Sequence, residues 1–142
     1  MAKLSDQHVL VAYVDGSDLH DVASLLRSEF QQFIESQHWR TNQVVFVDQV
    51  HDPDPDFPDF LPDWDLGINL GLDHILRADG WFGDVEALIR FLERLHAVAG
   101  RDFVVFMAFR SRIWLQEHLC FVEGKPIDLN WLREAIERLV SS

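Results

Sequence analysis

The chain has a single cysteine, Cys120. It cannot form an internal disulfide, and the N-terminus, MAKLS followed by Asp6, Gln7 and His8, does not resemble a secretion signal. Together these imply a cytoplasmic protein in a reducing compartment. No apolar run approaches the roughly 18 residues a membrane span needs. Bases are scarce, with 12 Lys and Arg against 24 Asp and Glu, so the net charge is −12. That balance argues against nucleic-acid or anionic-membrane binding. Neither a Walker loop nor a Gly-x-Gly-x-x-Gly turn occurs, which removes the usual glycine cradles for phosphate. A Gly-x-Ser-x-Gly elbow is also missing. Ser17 after Gly16 reads as a capping turn, and Cys120, inside an expected strand, as a small packed hydrophobe. The expectation is therefore a non-enzyme without cofactor or metal.

At 142 residues, with 48% apolar and 25% charged side chains, the chain has a globular composition and the size of one domain, 1–142. His8–Val14 is a short apolar run ended by Asp15-Gly16 and reads as a buried strand. Ser17 or Asp18 is expected to cap a helix to about Gln37, with Leu19, Val22, Ala23, Leu26, Phe30 and Phe33 as its core stripe. Val44–Val50 reads as a second strand. Asp65–Leu72 reads as a weak strand, since Gly67 and Gly71 count against it. Asp84–Ala99 is the clearest helix, with Asp84 in cap position and Gly100 closing it. Phe103–Phe109 and Ile113–Val122 are expected to form an antiparallel hairpin. Asp128 caps a last helix, Leu129–Val140. The order β-α-β-(loop)-α-β-β-α implies a single α+β domain with a mostly antiparallel or mixed sheet covered by helices. Because three strands are apolar on both faces, the last helix is expected on the face opposite one of the others.

The most distinctive stretch is His51–Leu66, HDPDPDFPDFLPDWDL. Its sixteen positions carry six aspartates and four of the five prolines, and no Lys or Arg. Proline removes backbone donors and extends the residue before it, so 51–62 should be neither helix nor central strand. Between Asp48 and Glu86 there are eleven acids and one base, Arg77, whereas the rest of the chain has thirteen acids and eleven bases. Charge is thus concentrated in one third of a nearly neutral chain, which points to a basic partner or a cation.

A cation is the weaker reading. Zinc needs three or four convergent ligands, and a proline-stiffened run points successive side chains apart. Calcium loops need a glycine bend and a terminal glutamate that Asp52-Pro53-Asp54-Pro55-Asp56 lacks. A metal-dependent hydrolase using His51, Asp52, Asp73 and His74 is kept as an alternative. The aromatics favour a protein partner instead, because interfaces concentrate binding energy in a few aromatics inside a polar rim. The candidate partner-binding residues are Asp52, Asp54, Asp56, Phe57, Asp59, Phe60, Asp63, Trp64, Asp65 and Trp81. Some of these aromatics are expected to pin the loop to the body: Trp64 could pin while Phe57 contacts. Phe46, Phe91, Phe103, Phe106 and Phe121 are assigned to the core.

The stretch DVEALIRFLERLHAVAGRDFVVFMAF (84–109) resembles in style the helix–Gly–strand unit of several families of bacterial immunity proteins, the antidotes paired with polymorphic or type VI secretion toxins, and the following strand and break, LQEHLCFVEGKPIDLNWL (115–132), continue that style. The resemblance implies an inhibitor that binds one toxin effector, often by covering its active site. Many such effectors are basic where they bind phosphate. A DNA-mimic inhibitor of a nucleic-acid-binding protein is a second alternative, and a homodimer a further option.

Overall fold

The computed structural model describes residues 8–16, 18–40, 44–51, 63–72, 80–109 and 112–141. The elements are β1 (His8–Val14), α1 (Ala23–Ser36), β2 (Val44–His51), β3 (Asp63–Gly71), α2 (Phe82–Ala99), β4 (Phe103–Phe109), β5 (Arg112–Val122) and α3 (Leu129–Ser141). The five strands form one antiparallel sheet in the order β2-β3-β1-β4-β5. The first six elements therefore have the split βαβ connectivity of ferredoxin-like domains. β5 and α3 extend that unit past β4.

Each of the first two helices crosses over one intervening strand. Crossovers of one hand send both helices to the same side of the sheet. Leu10, Ala12 and Val14 of β1, Leu66, Ile68 and Leu70 of β3, and Phe103, Val105 and Met107 of β4 meet the helices in one core. α1 contributes Leu26, Phe30 and Phe33, α2 contributes Val85, Leu88, Ile89 and Leu92, and α3 contributes Leu132 and Ile136. Phe30 is the hub, with its ring 5.5 Å from Phe91 and 6.2 Å from Phe103. All three helices thus share one face, and α3 does not cross to the other. It lies beside α2, where Arg133 stands over Trp81 at 5.8 Å and the Ile127 amide donates to Glu93 Oε2 at 3.0 Å.

The double-sided apolarity of the strands has another outlet. Val9, Val11 and Tyr13 project to the other face, where no helix lies among the described residues, along with Val104, Phe106 and Phe121; Val9 and Val11 are buried there. Phe121, assigned to the core from sequence, is 43% exposed there and packs against His118 at 4.5 Å.

Two helix starts differ from expectation. α1 begins at Ala23 without a side-chain cap. Leu19 is fully buried, and its carbonyl accepts from both Val22 and Ala23, so the chain turns into the helix five residues after Asp18. α2 begins at Phe82, which puts Asp84 in the first turn. Asp84 is buried and accepts the Arg40 amide with both oxygens, tying the α1–β2 connection to α2. The other ends follow the sequence signals. Gly100 takes φ 69° and donates to His96 O, and Asp128 Oδ1 accepts the Trp131 amide at 3.1 Å.

Candidate binding surface at the hairpin end

β2 and β3 form a hairpin with an unbroken register from Val44↔Leu70 to His51↔Asp63. The strand reading of 65–72 thus holds and lengthens backwards, since Asp63, Trp64 and Asp65 belong to β3 and not to a loop. Gly67 is required here rather than a weakness. A Cβ at that position would collide with the Ala12 carbonyl oxygen and lie 2.9 Å from Tyr13 Cα, so β1 and β3 approach as they do only without a side chain.

The acidic, proline-rich run connects these two strands. Asp52, Asp54, Asp56, Phe57, Asp59 and Phe60 lie outside the described residues. Its attachment points, His51 and Asp63, are described, and they lie at the end of the sheet where β1 finishes. Beyond Gly67↔Tyr13 and Val14↔Phe103 that end carries Asp15, Asp65 and Asp102. Asp15 and Asp18 are exposed. Two arginines of that end are already engaged: Arg101 Nη2 holds Asp21 Oδ1 at 2.8 Å and Arg27 Nε holds Asp48 Oδ2 at 2.5 Å.

Trp64 anchors the hairpin base. Its indole N–H donates to Asp48 Oδ1 at 2.8 Å, the Arg27 guanidinium lies 5.6 Å from its ring centre, and His20 meets it edge-on at 5.6 Å. Even-numbered β3 residues face the helices, which is why Trp64 turns to α1 (Ala23–Ser36) and the segment before it. Desolvation acts to raise the Asp48 carboxyl, but hydrogen bonds from Trp64 and Arg27 and the Arg27 charge outweigh it, holding the group below its ordinary value. Trp64 thus pins the hairpin to the body, with its donor already occupied.

Asp65 projects to the opposite face near Tyr13. Burial raises the Tyr13 phenol, the Asp65 charge adds to that, and a hydrogen bond to Asn69 Oδ1 at 2.9 Å opposes it. Trp81 is not brought to this end. It lies at the start of α2, beyond the far end of β3, is 7% exposed, and packs edge-on to Phe82 at 5.4 Å. It is a core residue and not an accessible contact, because the turn before α2 folds its ring under Arg133.

Sequence reading missed the Arg27–Asp48–Trp64–His20 cluster. Its faint signal was His20 and Arg27, seven residues apart and so on one side of a helical turn pattern. Among the described residues no group of three or more His, Cys, Asp and Glu could hold a metal ion. Asp52, Asp73 and His74, and the His51 side chain, lie outside that set. Among the described residues no helix is long and apolar enough to cross a membrane. Comparison with protein-family models, curated proteins and solved structures gives no match.

Proposed function

We propose that this chain is an acidic inhibitor that neutralises a cognate toxin effector in the cytoplasm by occluding its active site or substrate cleft. The observation that supports this most is the attachment of the base-free run 52–62 to a hairpin that is rigidly registered up to its last pair, at an end of the sheet rich in carboxylates. A negative run attached there suits a basic cleft, since complementary charge speeds encounter and disfavours wrong partners. Asp52, Asp54, Asp56, Asp59, Asp63 and Asp65 form the steering rim in this reading, and Phe57 and Phe60 the anchors. Trp64 serves from behind by holding the hairpin base. No step of chemistry is assigned to the chain.

The test pairs the chain with the product of the gene adjacent to its own. Expression of that product alone should arrest growth, and co-expression of this chain should relieve the arrest. Association should slow as salt rises. A variant with Asp52, Asp54, Asp56 and Asp59 changed to Asn should associate more slowly and with a flatter salt dependence. An unchanged association rate at every ionic strength removes the run from recognition, and a neighbour that neither binds nor arrests growth removes the antidote reading.

A further inference from the structure

The sheet has two edges, and they differ. The ladder from β4 to β5 shifts register twice, between Val105 and Phe106 and between Ala108 and Phe109. Bulges of this kind twist an edge away from a second strand. β2 has no such protection. It pairs with β3 over eight residues without a shift, contains neither proline nor lysine, and exposes Val45 at 49% and Val50 at 54%. Its one acid, Asp48, is already held by Arg27 and Trp64. Among the described residues no strand pairs with its outer edge. A long, regular, apolar edge is a template for another strand.

We propose that the outer edge of β2 pairs with β2 of a second copy, antiparallel about a two-fold axis at Val47, joining two sheets into one. Residues facing each other across such a pair share a sheet face, so their numbers share parity. With the axis at Val47, Val44 faces Val50, Val45 faces Gln49 and Phe46 faces Asp48. Both exposed valines are then covered. Moving the axis to Phe46 sends Val50 beyond the end of the partner strand, and moving it to Asp48 sets two carboxylates against each other.

The self-complementary pairing about Val47 selects a second copy, and charge selects this orientation. His51, the last described residue before the acidic run, is four residues from the axis, or about 14 Å along the strand. The points from which the two acidic runs leave are therefore on the order of 27 Å apart, well beyond the Debye length of about 8 Å at physiological salt. Parallel pairing would set them side by side. A cationic partner strand would find only Val45, Gln49 and Val50 on offer here, because Asp48 is occupied. Seven paired residues make a small interface, so association should be concentration-dependent. This inference does not depend on the antidote reading.

Sedimentation of the full chain tests it. The mass should climb from 16.5 kDa towards twice that as concentration rises. The double variant V45K/V50K, altered only at exposed positions, should keep its thermal unfolding transition and stay monomeric. V47C should form a disulfide-linked dimer under mild oxidation, because facing Cα atoms about 4.5–5.5 Å apart lie within disulfide span. Cys120 does not compete, since burial pushes its thiol up to about 11. V98C, on the exposed last turn of α2, serves as the control. A chain that stays monomeric at every concentration overturns the proposal, as does a dimer indifferent to V45K/V50K, or V98C cross-linking as readily as V47C.

Discussion

Replacing Gly67 by alanine tests the central packing of the sheet. The added Cβ would overlap the Ala12 carbonyl oxygen and lie 2.9 Å from both the Ala12 carbonyl carbon and Tyr13 Cα. All three atoms are backbone of β1, a central strand hydrogen-bonded on both sides, so no rotamer change relieves the clash. Carbon–oxygen contacts between strands normally sit at about 3.3–3.6 Å. β1 and β3 must therefore separate by on the order of 1 Å around Tyr13↔Gly67 and Ala12↔Ile68. Two backbone hydrogen bonds stretched there cost roughly 1 kcal/mol each, and more where a buried group is left unpaired. Backbone strain adds to this, while the stiffer unfolded chain offsets up to about 1 kcal/mol. The net loss is about 3–5 kcal/mol, a large part of the total stability of roughly 7–20 kcal/mol for a domain of this length. In urea, where the slope for small proteins is about 1–3 kcal/mol per M, the midpoint should fall by at least about 1 M. Gly16→Ala is the comparison. A Cβ there meets nothing within 4 Å, and only its φ of +113° is unfavourable, so its loss should be smaller. A G67A protein within about 1 kcal/mol of wild type would refute the close approach of β1 and β3.

Asp48→Asn removes the Arg27 ion pair while keeping an oxygen for the Trp64 indole. It should cost about 1 kcal/mol at neutral pH, as expected for a partly exposed pair. Because Trp64 and Arg27 hold the Asp48 carboxyl below its ordinary 3.8, its stabilisation is present above the unfolded value and is lost as pH falls through the folded one. Denaturation curves of wild type and D48N should therefore converge in acid, and a gap that widens below pH ~4 would contradict the cluster. Cys120, its thiol pushed up to about 11 by burial, should be alkylated far more slowly in native protein at neutral pH than in urea. Equal rates would show that β5 does not shield it.

Features that repeat locally were legible from sequence. Apolar runs marked β1 and β4 to the residue, and Gly100 marked the end of α2, since each signal lies within or beside the element that makes it. The start of α1 was misread because Ser17 and Asp18 offer good caps, whereas the real constraint is Leu19, buried by residues distant in sequence. Gly67 lowered the strand reading of β3 because its role depends on Ala12 of another strand. Trp81 looked like a loop aromatic until the α2 turn placed it over the core. The acidic run could be located because its charge is contiguous. Its base could not, as Asp48 reaches Arg27 and Trp64 across 21 and 16 positions.

The hairpin that carries the run is stitched to its final pair, His51↔Asp63, and bolted to α1 by Trp64. Loop-closure entropy changes by only about 0.6 kcal/mol for each doubling of length. A change in length between residues 51 and 63 should therefore cost little beside the packing of Leu10, Phe30 and Leu92, which belong to other elements and keep their neighbours.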